Sequence, residues 1–319
     1  MKNKAEELVS IAVTIPMVKW FKTVKGTSME NFEVQYLNLM VEILENGTKT
    51  PSRNGETLSK FGMHMKFDIS KTMPLLTTKK VFTKGIIGEL LWFLNGKTST
   101  EFLHKHSIHI WDKNSSRQCL DARNLQRYSE GTCGPIYGFQ WRFFNAPYHG
   151  PGDTYQGKGT DQLENVIRLI KSEPHSRRIF MSAWNPEQQH EMCLEPCHVS
   201  YQFYVNDGKL SCHMYQRSCD VFLGLPFNMV SVSVLTCILA KMCDLVPFEI
   251  TISFGDVHIY KEHIQQCKTQ LSRKMMEHTA TLSINRDMYN ACDLPYLEIS
   301  DFKFIGYCCH DPIKADMLP

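Results

Sequence analysis

The sequence predicts a single α+β domain in which long strands alternate with a few long helices. Hydrophobic residues make up 43% of the 319 residues and charged residues 21%, which is typical of a globular protein with a sizeable core. No repeat, low-complexity tract or linker separates the strand-type and helix-type stretches. One large domain is therefore favoured over two. Residues 1–30 are interpreted as an extension, either an added strand or a packed arm.

Charge and cysteine usage exclude several classes of protein. The formal net charge of +2 argues against a strongly basic nucleic-acid scaffold. Acidic residues stand where a secretory signal needs a basic segment and an apolar core, and no apolar stretch is expected to span a bilayer. We therefore expect a cytoplasmic protein whose 12 cysteines are mostly reduced. They show no paired CxxC motifs with zinc spacing, so no metal site is predicted.

Apolar spacing and turn residues predict the elements of the N-terminal half. Apolar residues three or four positions apart predict a helix over residues 32–47, and a glycine ends it. Turn-forming residues predict a loop over 48–57, and a strand is expected over 58–70. An apolar run then predicts a helix around residues 89–94.

The C-terminal half is predicted to supply most of the sheet. Polar residues 112–135 indicate a loop, and a helix is expected to end at Pro174. The remaining predicted elements are a strand over 177–186, a hairpin over 198–218 with its turn at Asn206–Gly208, a long apolar helix over 227–246 and a strand over 248–260.

Cys197 is the candidate nucleophile among the cysteines. It lies in the sequence LEPCH, directly before His198. Only the thiolate form of cysteine is a nucleophile, and a nearby cation lowers the pKa of the thiol. If the two arms of the predicted hairpin pair, Arg217 can lie close to the sulfur. The alternative is a buried structural cysteine.

Several arginines are candidate ligands of one phosphate dianion. Arg177 and Arg178 are adjacent just before a predicted buried strand, where two cations are costly unless an anion binds them. Arg217 with Ser218, and Arg53 in a turn-rich loop, could join them, because guanidinium groups match phosphate geometry. Simple solvation of a surface pair is the alternative for Arg177 and Arg178.

Three further polar residues could recognise a base and a sugar. The Asn228 amide offers both a donor and an acceptor, which suits the O4 and N3–H edge of a pyrimidine. A helix cap is the alternative for this residue. His258 and Tyr260 alternate onto one face of a strand and could both face a sugar, or could be half-buried polar residues.

Five long motifs in fixed order resemble the thymidylate synthase family. They are YGFQWR, SRRIFMSAWNP, LEPCHVSYQFYV, YQRSCDVFLGLPFN and FGDVHIY. The resemblance runs from about Phe32 to the C-terminus and implies a catalytic domain over residues 31–319. The implied fold is a single α+β domain whose large mixed sheet packs against long central helices. The sheets of two subunits are expected to stack in a homodimer.

The resemblance also implies a reaction. The family methylates dUMP to dTMP with 5,10-methylenetetrahydrofolate as one-carbon donor and reductant, which yields dihydrofolate. The reaction proceeds through a covalent adduct, here between Cys197 and C6 of the base. This folate is the expected co-substrate, with no metal, and neither a membrane nor a nucleic acid is expected to be required.

The motifs carry the family's site roles onto residues of this chain. The implied catalytic residues are Cys197, Glu89, Tyr137, His198, Arg217 and Asn228. The implied dUMP ligands are Arg53, Arg177, Arg178, Gln216, Arg217, Ser218, Asp220, Asn228, His258 and Tyr260. The implied folate contacts are Trp111, Asn114, Asp220, Leu223, Gly224 and Phe227. Arg177 and Arg178 resemble the pair that reaches the partner's phosphate across the dimer interface, and Glu89 resembles the carboxylate that organises proton-transfer waters.

Four features depart from the family pattern, and one of them is the C-terminal tail, which ends in MLP. The phosphate loop reads PSRNGET, so Arg53 matches only if the loop is one residue shorter. Glu195 replaces the first of two prolines before the nucleophile, and Thr83 replaces a tryptophan. Two alternatives stay open: a hydroxymethylase, in which water instead of hydride quenches the C5 methylene, and a catalytically silent homologue that binds RNA or a protein partner.

Overall fold

A computed structural model describes residues 31–53 and 55–317, and the predicted extension over residues 1–30 lies outside these ranges. The described residues form one α+β domain with a seven-stranded mixed sheet and a separate two-stranded sheet. The predicted fold class is therefore confirmed for a single chain.

The bounds of the elements are as follows. The helices are α1 (Phe32–Asn46), α2 (Thr83–Leu94), α3 (Glu101–Lys105), α4 (Arg117–Ala122), α5 (Tyr137–Phe143), α6 (Gln162–Ser172), α7 (Gly224–Met242) and α8 (Ile264–Leu271). The strands are β1 (Thr48–Ser52), β2 (Gly55–Phe61), β3 (His64–Asp68), β4 (Phe180–Ser182), β5 (His198–Asn206), β6 (Lys209–Asp220), β7 (Val246–Tyr260), β8 (Thr281–Ile284) and β9 (Phe302–Ile305).

The large sheet has the strand order β1-β2-β7-β6-β5-β4, and β3 also pairs with β7. Among the described strands of this sheet, only β6 and β7 pair in parallel. The predicted hairpin of β5 and β6 is confirmed, with Asp207 and Gly208 in its turn at φ values of 48° and 70°. Positive φ at both central residues matches the right-handed twist of the two strands.

Four of the predicted elements differ in the structure. Residues predicted as a loop over 48–57 instead form β1 and the start of β2, because β2 pairs with β7 and β1 completes the edge. The strand predicted over 58–70 breaks near Gly62, whose φ is 75°, and both pieces pair with β7. The strand predicted over 177–186 is reduced to β4, and the polar loop contains α4.

Helix α7 forms the centre of the core, packed against β6 and β7. By length and composition alone it could cross a membrane, contrary to the expectation that no stretch would qualify. In the domain 83% of its most apolar window is buried, as in the core helix of a folded protein. Its burial places the first turn of the helix against the candidate site.

A buried carboxylate joins α1 to the segment that leads into α2. Glu33 accepts hydrogen bonds from the backbone N–H and hydroxyl groups of Thr77 and Thr78 and lies 2.5 Å from His278 Nε2. Burial by itself raises the pKa of Glu33, but these bonds outweigh it and hold the pKa below the ordinary value. The carboxylate therefore fixes the approach to the helix that carries Glu89.

Candidate active site

One cavity of about 920 Å³ collects most of the site residues predicted from the sequence. It opens between the ends of β6 and β7, helices α2 and α7, and the C-terminal segment. The predicted residues that line it are Arg53, Glu89, Trp111, Asn114, Cys197, Arg217, Ser218, Asp220, Leu223, Gly224, Phe227, Asn228, His258 and Tyr260. Its volume is in the range of a site for small organic ligands.

The pairing of β5 and β6 brings Arg217 to Cys197, as the sequence led us to expect. The backbone N–H of Arg217 donates to the Cys197 carbonyl at 2.9 Å. Its side chain donates to the Pro196 carbonyl through Nε at 2.9 Å and to the Glu195 carbonyl through Nη2 at 2.8 Å. The same Nη2 lies 4.0 Å from the Cys197 sulfur. One guanidinium thus holds the segment and faces the thiol.

The thiol of Cys197 differs from the simple expectation for a cysteine beside an arginine. Burial raises its pKa, while the Arg217 charge and the Tyr137 hydroxyl act in the opposite direction. The Glu195 carboxylate adds to the rise. The net pKa lies above the ordinary value, because the free-energy cost of removing a thiolate from water exceeds the stabilisation that one nearby cation provides.

Tyr137 and His198 stand behind the sulfur rather than on the cavity wall. The Cys197 N–H donates to the Tyr137 hydroxyl at 2.7 Å, and the Tyr137 ring stacks on Phe93 with centroids 4.7 Å apart. Burial lowers the pKa of His198 to about 4, so its ring is neutral at neutral pH. Its Nδ1 lies 3.1 Å from the Tyr201 hydroxyl. Both residues support the wall that carries Cys197.

The structure rejects the helix-cap alternative for Asn228. Helix α7 begins at Gly224 after Leu223, so Asn228 lies beyond its first turn. Its Oδ1 accepts a hydrogen bond from Gln216 Nε2 at 2.8 Å, and Gln216 Nε2 also donates to the Ser218 carbonyl at 3.1 Å. A carbonyl only accepts, so Ser218 fixes the Gln216 amide, which in turn orients Asn228. Gln216 itself is buried behind the wall.

Strand β7 and the turn after β6 supply another wall. His258 Nδ1 lies 2.6 Å from Asp256 Oδ1, and the Tyr260 ring packs edge-on to His258 with centroids 5.1 Å apart. Asp220 accepts the Phe222 N–H at 2.9 Å and so shapes the turn that leads into α7. The two residues predicted to face a sugar therefore do share one face of a strand.

Glu89 also lines the cavity, and its carboxyl group is largely removed from water. Trp111 Nε1 donates to Glu89 Oε1 at 2.7 Å. Burial raises the pKa of Glu89 to about 7, and the indole hydrogen bond opposes part of that rise. A carboxyl group with this pKa exchanges a proton near neutral pH, which is a common property of groups that take part in proton transfer.

Arg177 and Arg178 are not brought to this cavity within one chain. Both are exposed, immediately before β4. Arg53 is also exposed, although it lines the mouth of the cavity from the turn between β1 and β2. Sequence reasoning missed Arg123, which lines the cavity and pairs with Glu195. It lies in a stretch that was expected to be an ordinary polar loop.

One group of metal-ligating side chains comes together in the part of the chain that the structure describes. His104, His109 and Asp112 offer ligand atoms within 4.8 Å of one another. Asp112 also hydrogen-bonds both rings, at 2.6 Å and 2.9 Å. The group does not line the cavity, so it contributes no ligand to the candidate site.

Known proteins are similar to this chain over nearly all of its described residues. The family model described as thymidylate synthase matches residues 34–319. A putative bifunctional dihydrofolate reductase-thymidylate synthase of Oryza sativa subsp. japonica is 47% identical over 286 residues, 89% of this chain and 57% of that protein. The bifunctional dihydrofolate reductase-thymidylate synthase of Plasmodium berghei is 46% identical over 299 residues, 93% of this chain and 50% of that protein.

Fold and cavity together define a single-domain α+β protein in which a sheet presents a cysteine beside an arginine. The chain belongs to the thymidylate synthase family, as the match over nearly all the described residues shows. The chain spans about half the length of the curated relatives it matches.

The raised pKa of Glu89 predicts a pH-dependent cost in stability. Between its ordinary value of 4.5 and about 7 the folded protein binds more protons than the unfolded chain, so stability falls as pH rises through this range. Glu89→Gln removes this group. The free energy of unfolding of the variant, relative to wild type, should therefore be higher at pH 8 than at pH 5, by on the order of 1–3 kcal/mol. Urea unfolding at both pH values measures this.

The control for that measurement is Glu45→Gln, which changes an exposed glutamate of α1. We expect its effect to be equally small at both pH values. If Glu89→Gln also changed stability equally at pH 5 and pH 8, the carboxyl group would have its ordinary pKa in the folded protein.

Proposed function

We propose that this protein catalyses the reductive methylation of dUMP to dTMP with 5,10-methylenetetrahydrofolate. The observation that carries the proposal is the convergence of Cys197, Arg217 and Asn228 on one cavity in a chain of this family. A nucleophile, a cation and a base-reading amide are the groups that such a reaction requires. Glu89 and Trp111 line the same cavity, and the folate would lie against them.

Cys197 would act as the covalent nucleophile. C5 of uracil is a poor nucleophile, and addition of the thiolate to C6 converts it into an enolate carbon that can attack the one-carbon unit. The folate would supply that unit to C5. Loss of the C5 proton would then release tetrahydrofolate and leave an exocyclic methylene, which a hydride from the tetrahydrofolate would reduce to the methyl group as dihydrofolate forms. Arg217, 4.0 Å from the sulfur, stabilises the thiolate against the cost of burial. Elimination of the cysteine at the end restores the free enzyme.

Proton transfer would fall to Glu89. Glu89 has a pKa of about 7 and is held by the Trp111 indole, so it can both give and take a proton at neutral pH. His198 is neutral, because burial lowers its pKa to about 4, and it therefore adds no positive charge behind the base. Trp111 and Asn114 line the folate side and would limit the entry of water.

Substrate selection would rest on an oriented amide. The Ser218 carbonyl fixes Gln216, and Gln216 donates to Asn228 Oδ1. In this orientation the Asn228 Nδ2 can donate to uracil O4, and Oδ1 can accept from N3–H with its second lone pair. His258 and Tyr260 would hold the deoxyribose, and Arg217 with Ser218 would bind the phosphate.

A homodimer would complete the phosphate site with Arg177 and Arg178. The outer face of the sheet presents a row formed by Phe180, Gln202, His213 and Thr251 across β4 to β7. Phe180 is 48% exposed in the single chain, and Tyr204 on the same face is 64% exposed. Stacking two such faces would bury the exposed rings of Phe180 and Tyr204 among polar neighbours, and the exposed arginine pair lies at the border of this face.

Product identification tests the proposed reaction. The protein is incubated with dUMP and 5,10-methylenetetrahydrofolate, and the nucleotide and folate products are separated and weighed by mass spectrometry. Formation of dTMP with dihydrofolate supports the proposal. 5-Hydroxymethyl-dUMP with tetrahydrofolate would identify a hydroxymethylase instead, and unchanged substrates would indicate a silent homologue.

The first prediction from the proposed function concerns the nucleophile. Cys197→Ala should abolish turnover but still bind dUMP, because the phosphate and base contacts do not need the sulfur. Turnover and dUMP binding are measured on the same preparation. Cys243→Ala, which changes a half-buried cysteine after α7, should keep normal turnover as a control. Near-normal turnover without the Cys197 sulfur would remove it as the nucleophile.

The second prediction concerns shared sites in the proposed dimer. Arg178→Ala and Cys197→Ala proteins should each be inactive or nearly so, yet a mixture should regain activity. One hybrid site then receives an intact Cys197 from one subunit and an intact Arg178 from the other. Turnover is measured after subunit exchange has been verified by a tag on one variant. An exchanged mixture without recovery would contradict sharing of this arginine.

The third prediction concerns base selection. Wild-type protein should prefer dUMP to dCMP, because a flipped Asn228 amide would turn its NH₂ toward the NH₂ of Gln216. Each polar group left unpaired costs about 1–3 kcal/mol. Asn228→Asp should weaken use of dUMP and improve use of dCMP, since a carboxylate accepts from N4 but cannot donate to O4. The measurement is kcat/KM for both nucleotides; equal use by wild-type protein would show that Asn228 is not the selector.

A further inference from the structure

We propose that Arg123 is a positioning residue for Cys197, which acts by neutralising the carboxylate of Glu195 and holding the segment before the sulfur. The inference rests on the proposed role of Cys197 as nucleophile. It concerns two residues outside the motifs' implied roles: a glutamate where the family pattern has a proline, and an arginine in a polar loop.

The geometry ties Arg123 to the cysteine segment at two points. Its Nη2 forms an ion pair with Glu195 Oε1, and its Nε donates to the Met192 carbonyl at 2.8 Å. The two side chains are only 19% and 29% exposed, and both line the cavity. A pair so little exposed to water is screened less than an ordinary surface ion pair. Arg123 therefore fixes both the start of the segment and the Glu195 side chain.

Arg217 holds the same segment from the other side. It donates to the backbone carbonyls of Glu195 and Pro196, whereas Arg123 donates to the Glu195 carboxylate. Arg217 therefore binds the backbone of the segment, and Arg123 binds the side chain of Glu195. This division leaves Nη2 of Arg217 facing the Cys197 sulfur at 4.0 Å.

Removal of Arg123 would leave a carboxylate without its cation two residues from the sulfur. Burial raises the pKa of Glu195, but the Arg123 hydrogen bond and charge outweigh it and hold the pKa below the ordinary value. Glu195 is thus ionised at neutral pH. An unpaired carboxylate would disfavour the Cys197 thiolate and would compete with it for the Arg217 charge. Arg123 makes the glutamate compatible with a nucleophile at this position.

The experiment measures the reactivity of Cys197 without requiring turnover. The rate of alkylation by iodoacetamide is followed from about pH 7 to about pH 11, a range extended upward because the pKa of Cys197 lies above the ordinary value of a thiol. Site-resolved mass spectrometry separates Cys197 from the other cysteines. The proteins are wild type, Arg123→Ala, Glu195→Ala and the double variant. Arg127→Ala is the matched control. Arg127 lies in the same polar stretch as Arg123 and pairs with Glu191 at 2.7 Å, but it does not line the cavity.

Arg123→Ala should raise the pH midpoint of alkylation by about 0.5–1 unit and slow the reaction at pH 7 by about 3–10-fold. The double variant should return to near the wild-type midpoint, because the unpaired carboxylate is gone. Glu195→Ala alone should leave the midpoint equal or lower. Arg127→Ala should match wild type.

Two results would overturn the inference. An unchanged midpoint in Arg123→Ala would show that the charge of Arg123 does not reach the thiol. A double variant as slow as Arg123→Ala would show a structural role only. If Arg123→Ala does not fold, Arg123→Lys decides instead: it keeps the charge and should keep the midpoint, and a raised midpoint there counts against the proposal. None of these measurements depends on methylation of dUMP. Failure of the Arg123 inference can therefore be distinguished from failure of the proposed reaction.

Discussion

The guanidinium of Arg217 is the interaction on which the candidate site depends. Its hydrogen bonds to the carbonyls of Glu195 and Pro196 hold the chain just before Cys197, and the backbone N–H of Arg217 donates to the Cys197 carbonyl across the hairpin. One side chain therefore sets both the position of the sulfur and the charge beside it. The register of β5 and β6 makes this possible, because a shift of one residue would turn Arg217 to the other face of the sheet.

The rest of the site follows from the neighbours of that hairpin. The parallel pairing of β6 and β7 sets Asp220 opposite His258 and Ser218 opposite Asp256, at the ends of the two strands. Helix α7 begins a few residues after β6, which places Asn228 within reach of Gln216. Adjacent strands and one helix end thus carry the groups that we propose to bind the base, the sugar and the phosphate.

Burial has different consequences for two groups that line the cavity. It raises the pKa of Glu89 to about 7, which leaves a carboxyl group able to exchange a proton at neutral pH. It also raises the pKa of Cys197, where charged neighbours must oppose it for a thiolate to form. The same desolvation thus favours proton exchange at Glu89 and disfavours the thiolate of Cys197. The guanidinium of Arg217, 4.0 Å from the sulfur, opposes that second effect.

The sequence by itself determined the local elements and the family. The spacing of apolar residues predicted α1 and α7, and the Asn206–Gly208 turn predicted the hairpin that joins Cys197 to Arg217. These features are local, so the chain's own pattern encodes them. The match over residues 34–319 agrees with the motifs that indicated the family.

Only the tertiary structure decided how the site residues affect one another. It showed strands over 48–57, where turn residues suggested a loop, because pairing with β7 is a contact distant in sequence. It showed that Asn228 is not a cap, and that Glu195 is paired with Arg123, 72 residues away. Burial also reversed the expected direction of the Cys197 pKa. Desolvation and long-range ion pairs depend on which distant segments meet, and a local sequence pattern does not contain that information.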